Sequence, residues 1–216
     1  MPERSFRGFP LFPLGIVALP GELVPLHIFE DRYRRMIEQC LGAQAGAPER
    51  EFGIVWLSDE ELKDVGCACE VERVLERMDD GRMNILVRGT RPFRLLERQD
   101  ELPYPAGVVE FLEDDALDDG ESLQTLAASA RELYSELVQQ ATDRQLGDEE
   151  LGRMDAYEMA GTVEFGADAK QELLELRSET ARMRLLASLL RAALERLELI
   201  DRAQTRAQSN GKVRFG

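Results

Sequence analysis

Apolar and polar positions change rhythm along this chain. Up to about residue 112 the rhythm is short and strand-like. The run "FGIVWL" (52–57) is apolar on both faces, as a buried central strand would be. In 67–89, Cys67, Cys69 and Val71 alternate with Ala68, Glu70 and Glu72, and Met83, Ile85 and Val87 alternate with Arg82, Asn84 and Arg88. Between these arms, Asp79-Asp80-Gly81 tolerates the positive φ of a tight hairpin turn. "PFRLL" (92–96) and "AGVVEFL" (106–112) add two further strands. Several short strands separated by turn signals predict a small barrel or sandwich.

The stretch 19–41 changes period in the middle. Pro20-Gly21 suits the central positions of a type II turn, where glycine supplies the positive φ. A strand follows, and from Glu30 onward Tyr33, Met36, Ile37, Cys40 and Leu41 fall on one stripe of a helix. Glu30 and Asp31 sit where the helix dipole favours acids, and Gly42 is placed to stop the helix. This pattern predicts a strand leading into a helix that plugs the barrel.

"EDDALDDGE" (113–121) holds six acids in nine residues and predicts a solvated linker. Beyond it the period is helical. Leu123, Leu126, Ala127, Ala130, Leu133, Leu137 and Val138 form one stripe, with further helices predicted over 149–163 and 168–176. Ser178 is a candidate cap for a long last helix buried along Met183, Leu186, Leu190, Leu194 and Leu197. Four stripes of similar width satisfy one another as a bundle. The expected organisation is a barrel over 1–112, a linker over 113–121, a helical bundle over 122–205 and a fraying tail over 206–216.

Composition narrows the function classes. The chain has 216 residues, 44% hydrophobic and 32% charged, which fits a globular protein with one good core. No apolar run is long enough for a membrane span, and "MPERSFRGFP" lacks the layout of a secretory signal. An odd count of three cysteines makes no disulfide framework, so a cytoplasmic setting is expected. Net charge is −15, and each of the parts 1–112, 113–121 and 122–216 is acidic. Such a surface repels phosphate backbones, which argues against nucleic acid as the main partner.

Candidate chemistry is thin. His27 is the only histidine, and no serine or cysteine nucleophile signature accompanies it, so local bonding is its expected role. Cys67 and Cys69 share a strand face, and only Cys40 and His27 remain to complete a zinc set; core packing is the better account. "NGKVRF" has Gly211-Lys212 but neither the upstream glycine nor the Ser/Thr of a phosphate-binding loop. The sequence therefore calls for no catalytic residue, no metal site and no cofactor.

The block 9–41, "FPLFPLGIVALPGELVPLHIFEDRYRRMIEQCL", resembles the start of the amino-terminal substrate-binding domain of Lon (La) proteases. The likeness continues through "FGIVWL", "VGCACEVERVLERMDDGRMNILVRGTRPFRLL" and "PYPAGVVEFLED", and resumes weakly in "AYEMAG" and "KQELLEL". The resemblance implies an α+β fold: an amino-terminal PUA-like β-barrel with one plug helix, followed by a carboxy-terminal helical bundle. It implies binding of unfolded or extended polypeptide, or of a specific protein partner, without a membrane. In full Lon proteases an ATPase module and a Ser-Lys peptidase follow; with the chain ending at Gly216, the expected kinship is with standalone, non-catalytic Lon-domain proteins. The motif residues mainly build the fold and transfer no catalytic role. For the binding surface, Leu19, Leu23 and Pro25 are the candidates, on a loop expected to lack internal pairing. The alternative is RNA binding, since PUA-like barrels often bind RNA. The sequence assigns no oligomeric state.

Overall fold

A computed structural model describes residues 5–44, 46–59, 61–115 and 120–210. The strands are β1 (Ser5–Leu14), β2 (Leu23–Ile28), β3 (Glu51–Ser58), β4 (Glu61–Leu62), β5 (Val65–Arg77), β6 (Met83–Gln99) and β7 (Ala106–Phe111). The helices are α1 (Asp31–Gly42), α2 (Gly120–Thr142), α3 (Asp148–Arg153), α4 (Ala156–Ala160), α5 (Ala167–Glu175) and α6 (Glu179–Asn210). The α+β class holds, with sheet first and helices after.

The strands form one curled, mostly antiparallel sheet in the order β1-β7-β6-β5-β3-β4. β1 also pairs β3 in parallel through Leu11↔Gly53 to Leu14↔Trp56, and β2 joins as an extra strand on β6. Strand β6 is 17 residues long and organises this arrangement. One of its edges pairs β5, while the other pairs β2 along Met83–Arg88 and β7 along Phe93–Gln99. The five strands β1, β7, β6, β5 and β3 pair in a ring, but a simple barrel leaves out the rest of the sheet. The β5–β6 hairpin overruns the curled part, and β2 extends that projection.

Alternation along the strands creates two apolar faces. One gathers Phe9, Leu11, Val55, Ala68, Phe93, Leu95 and Val109 from five strands, with Phe9 edge-on to Phe93 at 5.4 Å and to Phe111 at 5.5 Å. The opposite face supplies Phe12, Phe52, Ile54, Cys67 and Cys69, and packs against Tyr33, Met36, Ile37 and Cys40 of α1. Phe12 and Tyr33 lie ring against ring, 4.1 Å between centroids. The stripe predicted on α1 is buried as expected, but the helix covers the face away from the phenylalanine cluster. It flanks the sheet and does not plug it.

The same apolar cluster continues into the helices through Tyr134, Ala156, Met159, Leu173, Leu174, Leu186 and Leu190. Polar ties reinforce it: Gln171 Nε2 donates to Val65 O at 3.1 Å, and Lys170 pairs with Glu22. Arg182, almost fully buried, bonds Asp114, Glu179 and the Leu176 carbonyl and lies over the Tyr157 ring. The predicted helix over 149–163 is broken in two, because Asp155 and Glu158 form a capping box that starts α4 afresh. Ser178 does cap α6, accepting from Ala181 N at 3.3 Å. That helix runs to Asn210, past the expected start of a frayed tail, and 211–216 lie outside the described residues. Of the expected linker, 116–119 also lie outside them.

Two outcomes follow from this packing. Ile37 has no exposed surface, so Ile37→Ala should cost about 2–5 kcal/mol in urea denaturation, the range for a core aliphatic that leaves a cavity. We also propose 113–121 as the boundary between the sheet part and the helical part. Brief Glu-C digestion is expected to cut there first. The two fragments should nevertheless co-elute on gel filtration, because sheet and helices share one core.

Candidate functional site

The segment between α1 and the first sheet strand is built around a turn. Gly21 has φ of +80°, and Glu22 N donates to Leu19 O at 3.1 Å, as a type II turn requires. The turn is docked onto β6: Gly21 N bonds Gly89 O at 2.9 Å and Gly89 N bonds Glu22 O at 3.0 Å. A side chain at position 89 would collide with the Leu19 carbonyl, so only glycine permits this approach. The expectation of an unpaired loop over 19–25 is therefore corrected: its second half is already strand β2, paired to β6 from Leu23↔Arg88 to Ile28↔Met83.

This docking separates the three candidate binding residues. Leu19 is fully buried and belongs to the core, so it offers no contact surface. Leu23 is 45% exposed, and Pro25 is exposed on the same face two residues on. His27 and Phe29 continue that outward row, while Val24 and Ile28 point into the core.

Nine large apolar side chains are exposed among the described residues, and five of them lie around β2. Ile16 and Leu23 line a hollow of about 440 Å³ beside the α4–α5 loop. Phe29 and Leu57 rim a second, of about 350 Å³, walled by Pro13 and Pro105. Leu75 lines a third with Pro25 and His27. Leu75 is the extra residue of a bulge between the pairs Val74↔Ile85 and Glu76↔Asn84, which turns an apolar side chain outward. Ile16, Phe29, Leu57 and Leu75 were not singled out by sequence reasoning. The available signal was that Leu23, Pro25 and Phe29 alternate with Val24, Leu26 and Ile28, making both faces of one strand apolar.

His27 bonds locally, as expected. Its Nδ1 lies 2.7 Å from Asn84 Oδ1, Asn84 Nδ2 donates to Glu76 Oε2 at 2.9 Å, and the imidazole stacks on Phe29. This polar track crosses three strands on an exposed face, and among the described residues no hydroxyl or thiol nucleophile joins it. Cys40, Cys67 and Cys69 are all buried, on the other side of the sheet from the exposed imidazole. Among the described residues, no group of three or more His, Cys, Asp or Glu is placed to hold a metal ion. A further apolar groove runs between α2 and α6, lined by Leu137, Val138, Ala193, Leu197 and Ile200. Among the described residues, no helix is long and apolar enough to cross a membrane.

A curled sheet flanked by helices in this order is a known arrangement. The structure is similar to the solved N-terminal domain of a Mycobacterium avium complex Lon protease, with a TM-score of 0.65 and 22% identity, over 86% of this chain and 97% of that one. It is similar also to a Lon N-terminal domain protein from Xanthomonas campestris, with a TM-score of 0.58 and 22% identity, over 85% of this chain and 98% of that one. Residues 8–192 match the family model of the ATP-dependent protease La (LON) substrate-binding domain, and the chain belongs to that family.

Among curated relatives, the chain is 26% identical to a Lon protease of Anaeromyxobacter dehalogenans (strain 2CP-C) and 27% identical to Lon protease 2 of Myxococcus xanthus. Each match covers 89% of this chain and 24% of the relative. The chain thus spans about a quarter of the length of these proteins.

The buried ionisable groups set an alkaline limit on the fold. Burial pushes the Cys40 thiol from its ordinary 9.0 up to about 12, raises Cys67 well above 9.0, and lifts the Tyr157 phenol to about 12. The unfolded chain therefore loses these protons first as pH rises, so their contribution is complete below about pH 9 and is lost toward pH 12. Urea midpoints should hold up to about pH 8.5 and fall by about pH 10.5, and Cys40→Ala should lessen the fall.

Proposed function

We propose that this chain is a polypeptide-binding module without catalytic activity of its own, and that the exposed flank of β2 is its contact surface. The observation that carries this reading is the clustering of Ile16, Leu23, Phe29, Leu57 and Leu75 around one strand. Exposed large apolar groups gathered into contiguous hollows mark interaction surfaces, whereas scattered ones need no explanation. Membership of the LON substrate-binding family supports the same reading, because its name refers to protein substrates of a protease. In this reading Leu23 and Pro25 are contact residues, the partner is an unfolded or extended polypeptide, no cofactor is used, and the setting is cytoplasmic.

The RNA alternative has no observation in its favour. Four arginines on or beside the sheet are engaged with carboxylates: Arg88 with Glu72, Arg77 with Glu38, Arg82 with Asp80 and Arg91 with Glu51. A phosphate backbone would have to displace these partners against a net charge of −15.

The contact area on one strand flank is small and a flexible polypeptide loses freedom on binding, so affinity should be about micromolar. Titrating a reduced, unfolded test protein and a structured RNA at low and high salt separates the two readings. Polypeptide binding should persist at high salt, and Leu23→Asp should weaken it about tenfold, the effect of losing one partly buried leucine contact. Tight, salt-sensitive RNA binding without polypeptide binding would overturn the proposal.

A further inference from the structure

Strand β2 has two edges, and only one of them is used. It pairs β6 and no other strand among the described residues. Which residues face each edge follows from the turn that precedes it. Glu22 O accepts from Gly89 N, so the Glu22 carbonyl points at β6. Successive residues of a strand direct their backbone groups to opposite sides. Val24, Leu26 and Ile28 therefore bond β6, and Leu23, Pro25 and His27 turn their backbone groups to the open edge. The place of Pro25 agrees with this, because on the open edge its missing N–H costs no ladder bond.

The ground beside that edge is prepared for a strand. The chain segment 12–17 runs back past β2 without pairing to it. The two flank a pair of hollows, Pro13 and Leu14 opposite His27–Phe29, and Ile16 and Val17 opposite Leu23–Pro25. The walls are apolar on both arms. The charges here are mostly spent: Glu22 on Lys170 and Glu30 on Arg32. Glu164, exposed in the hollow beside Leu23, has no hydrogen bond or ion pair among the described residues.

We infer that the open edge of β2 takes an extended polypeptide segment as an added β-strand, through backbone hydrogen bonds to Leu23, Pro25 and His27. This rests on the polypeptide-binding reading and deepens it. The favoured segment has apolar side chains at alternate positions, which enter the hollows on either side, and a lysine or arginine that meets Glu164. A segment of about five or six residues matches the length of β2. Backbone recognition of this kind is tolerant of sequence, which suits a domain that must accept many unfolded chains.

The test compares three nine-residue peptides of one alternating apolar sequence with a single lysine: unmodified, N-methylated at odd residues, and N-methylated at even residues. Methylation on the set that faces β2 removes the donors of the added strand, while the other set leaves them intact. One methylated peptide should lose at least tenfold in affinity and the other should bind like the parent. Amide exchange, followed with the parent peptide or with the reduced, unfolded test protein, should slow at Leu23 and His27 on binding. Exchange at Val24 and Leu26, already bonded to β6, should not change. Glu164→Gln should weaken the lysine peptide and leave its norleucine counterpart unaffected. Equal binding of both methylated peptides, or unchanged exchange at Leu23 and His27 in a bound complex, would overturn strand addition while leaving polypeptide binding intact. Binding of neither probe would overturn both.

Discussion

A β-strand can satisfy neighbours on two edges only, and in this fold β6 is the strand that pairs three others along its two edges. Its one edge holds β5 from Met83 to Arg94, and its other edge is divided between β2 and β7. Gly89 stands at that division, where the turn before β2 docks through Gly21 and Glu22. From this division come both halves of the sheet: the curled part around Phe9 and Phe93, and the three-stranded projection of β2, β6 and β5. The placement of α1 follows as well. Residues of its cluster on β1, β3 and β5 (Phe12, Ile54, Cys67 and Cys69) alternate with Leu11, Val55 and Ala68 of the phenylalanine cluster, so the helix and that cluster occupy opposite sides of the same strands.

Much of this was legible in the order of residues. The hairpin at Asp79-Asp80-Gly81, the turn at Pro20-Gly21, the stripe of α1 and the Ser178 cap all rest on local chemistry, and local chemistry can be read locally. What escaped depends on partners far along the chain. Strand β1 carries Gly8, Pro10 and Pro13, which break any strand signal. It forms because β7 and β3 supply its ladders. Strand β6 reads as two pieces since its pairing slips at Thr90 and again at Leu96, where bulges interrupt the alternation. The plug helix was misplaced because the period of a helix shows which of its faces is buried, but not which side of a sheet it covers. The same limit governs the site. Sequence pointed to the right stretch of chain but could not tell buried Leu19 from exposed Leu23, a difference set by the distant Gly89.

Charge shapes the surface more than the core. Arg77, Arg82, Arg88 and Arg91 are held by neighbouring carboxylates, pairs that where exposed contribute little each to stability but neutralise charge near β2. The two buried exceptions lie at joints. Glu51 accepts from Thr90 and Arg91 where the β6 pairing slips, and Arg182 ties the start of α6 to Asp114 and Tyr157. Burying such groups costs desolvation that only close, multiple hydrogen bonds offset. Each therefore favours one arrangement of the chain over others at a point where apolar packing alone would tolerate several.

An open strand edge is ordinarily a hazard, because it can pair with any other exposed strand, including one from another copy. Folded proteins blunt such edges with charge, proline or short length. β2 shows two of these devices: it is six residues long and carries Pro25 at its middle. What it lacks is charge, since its outward row is Leu23, Pro25, His27 and Phe29. Proline limits indefinite stacking by removing a donor, yet leaves every carbonyl of the edge able to accept. An edge protected against self-propagation but left apolar is suited to one added strand at a time. That compromise between solubility and receptivity is what the proposed capture of extended segments would need, and six residues supply it.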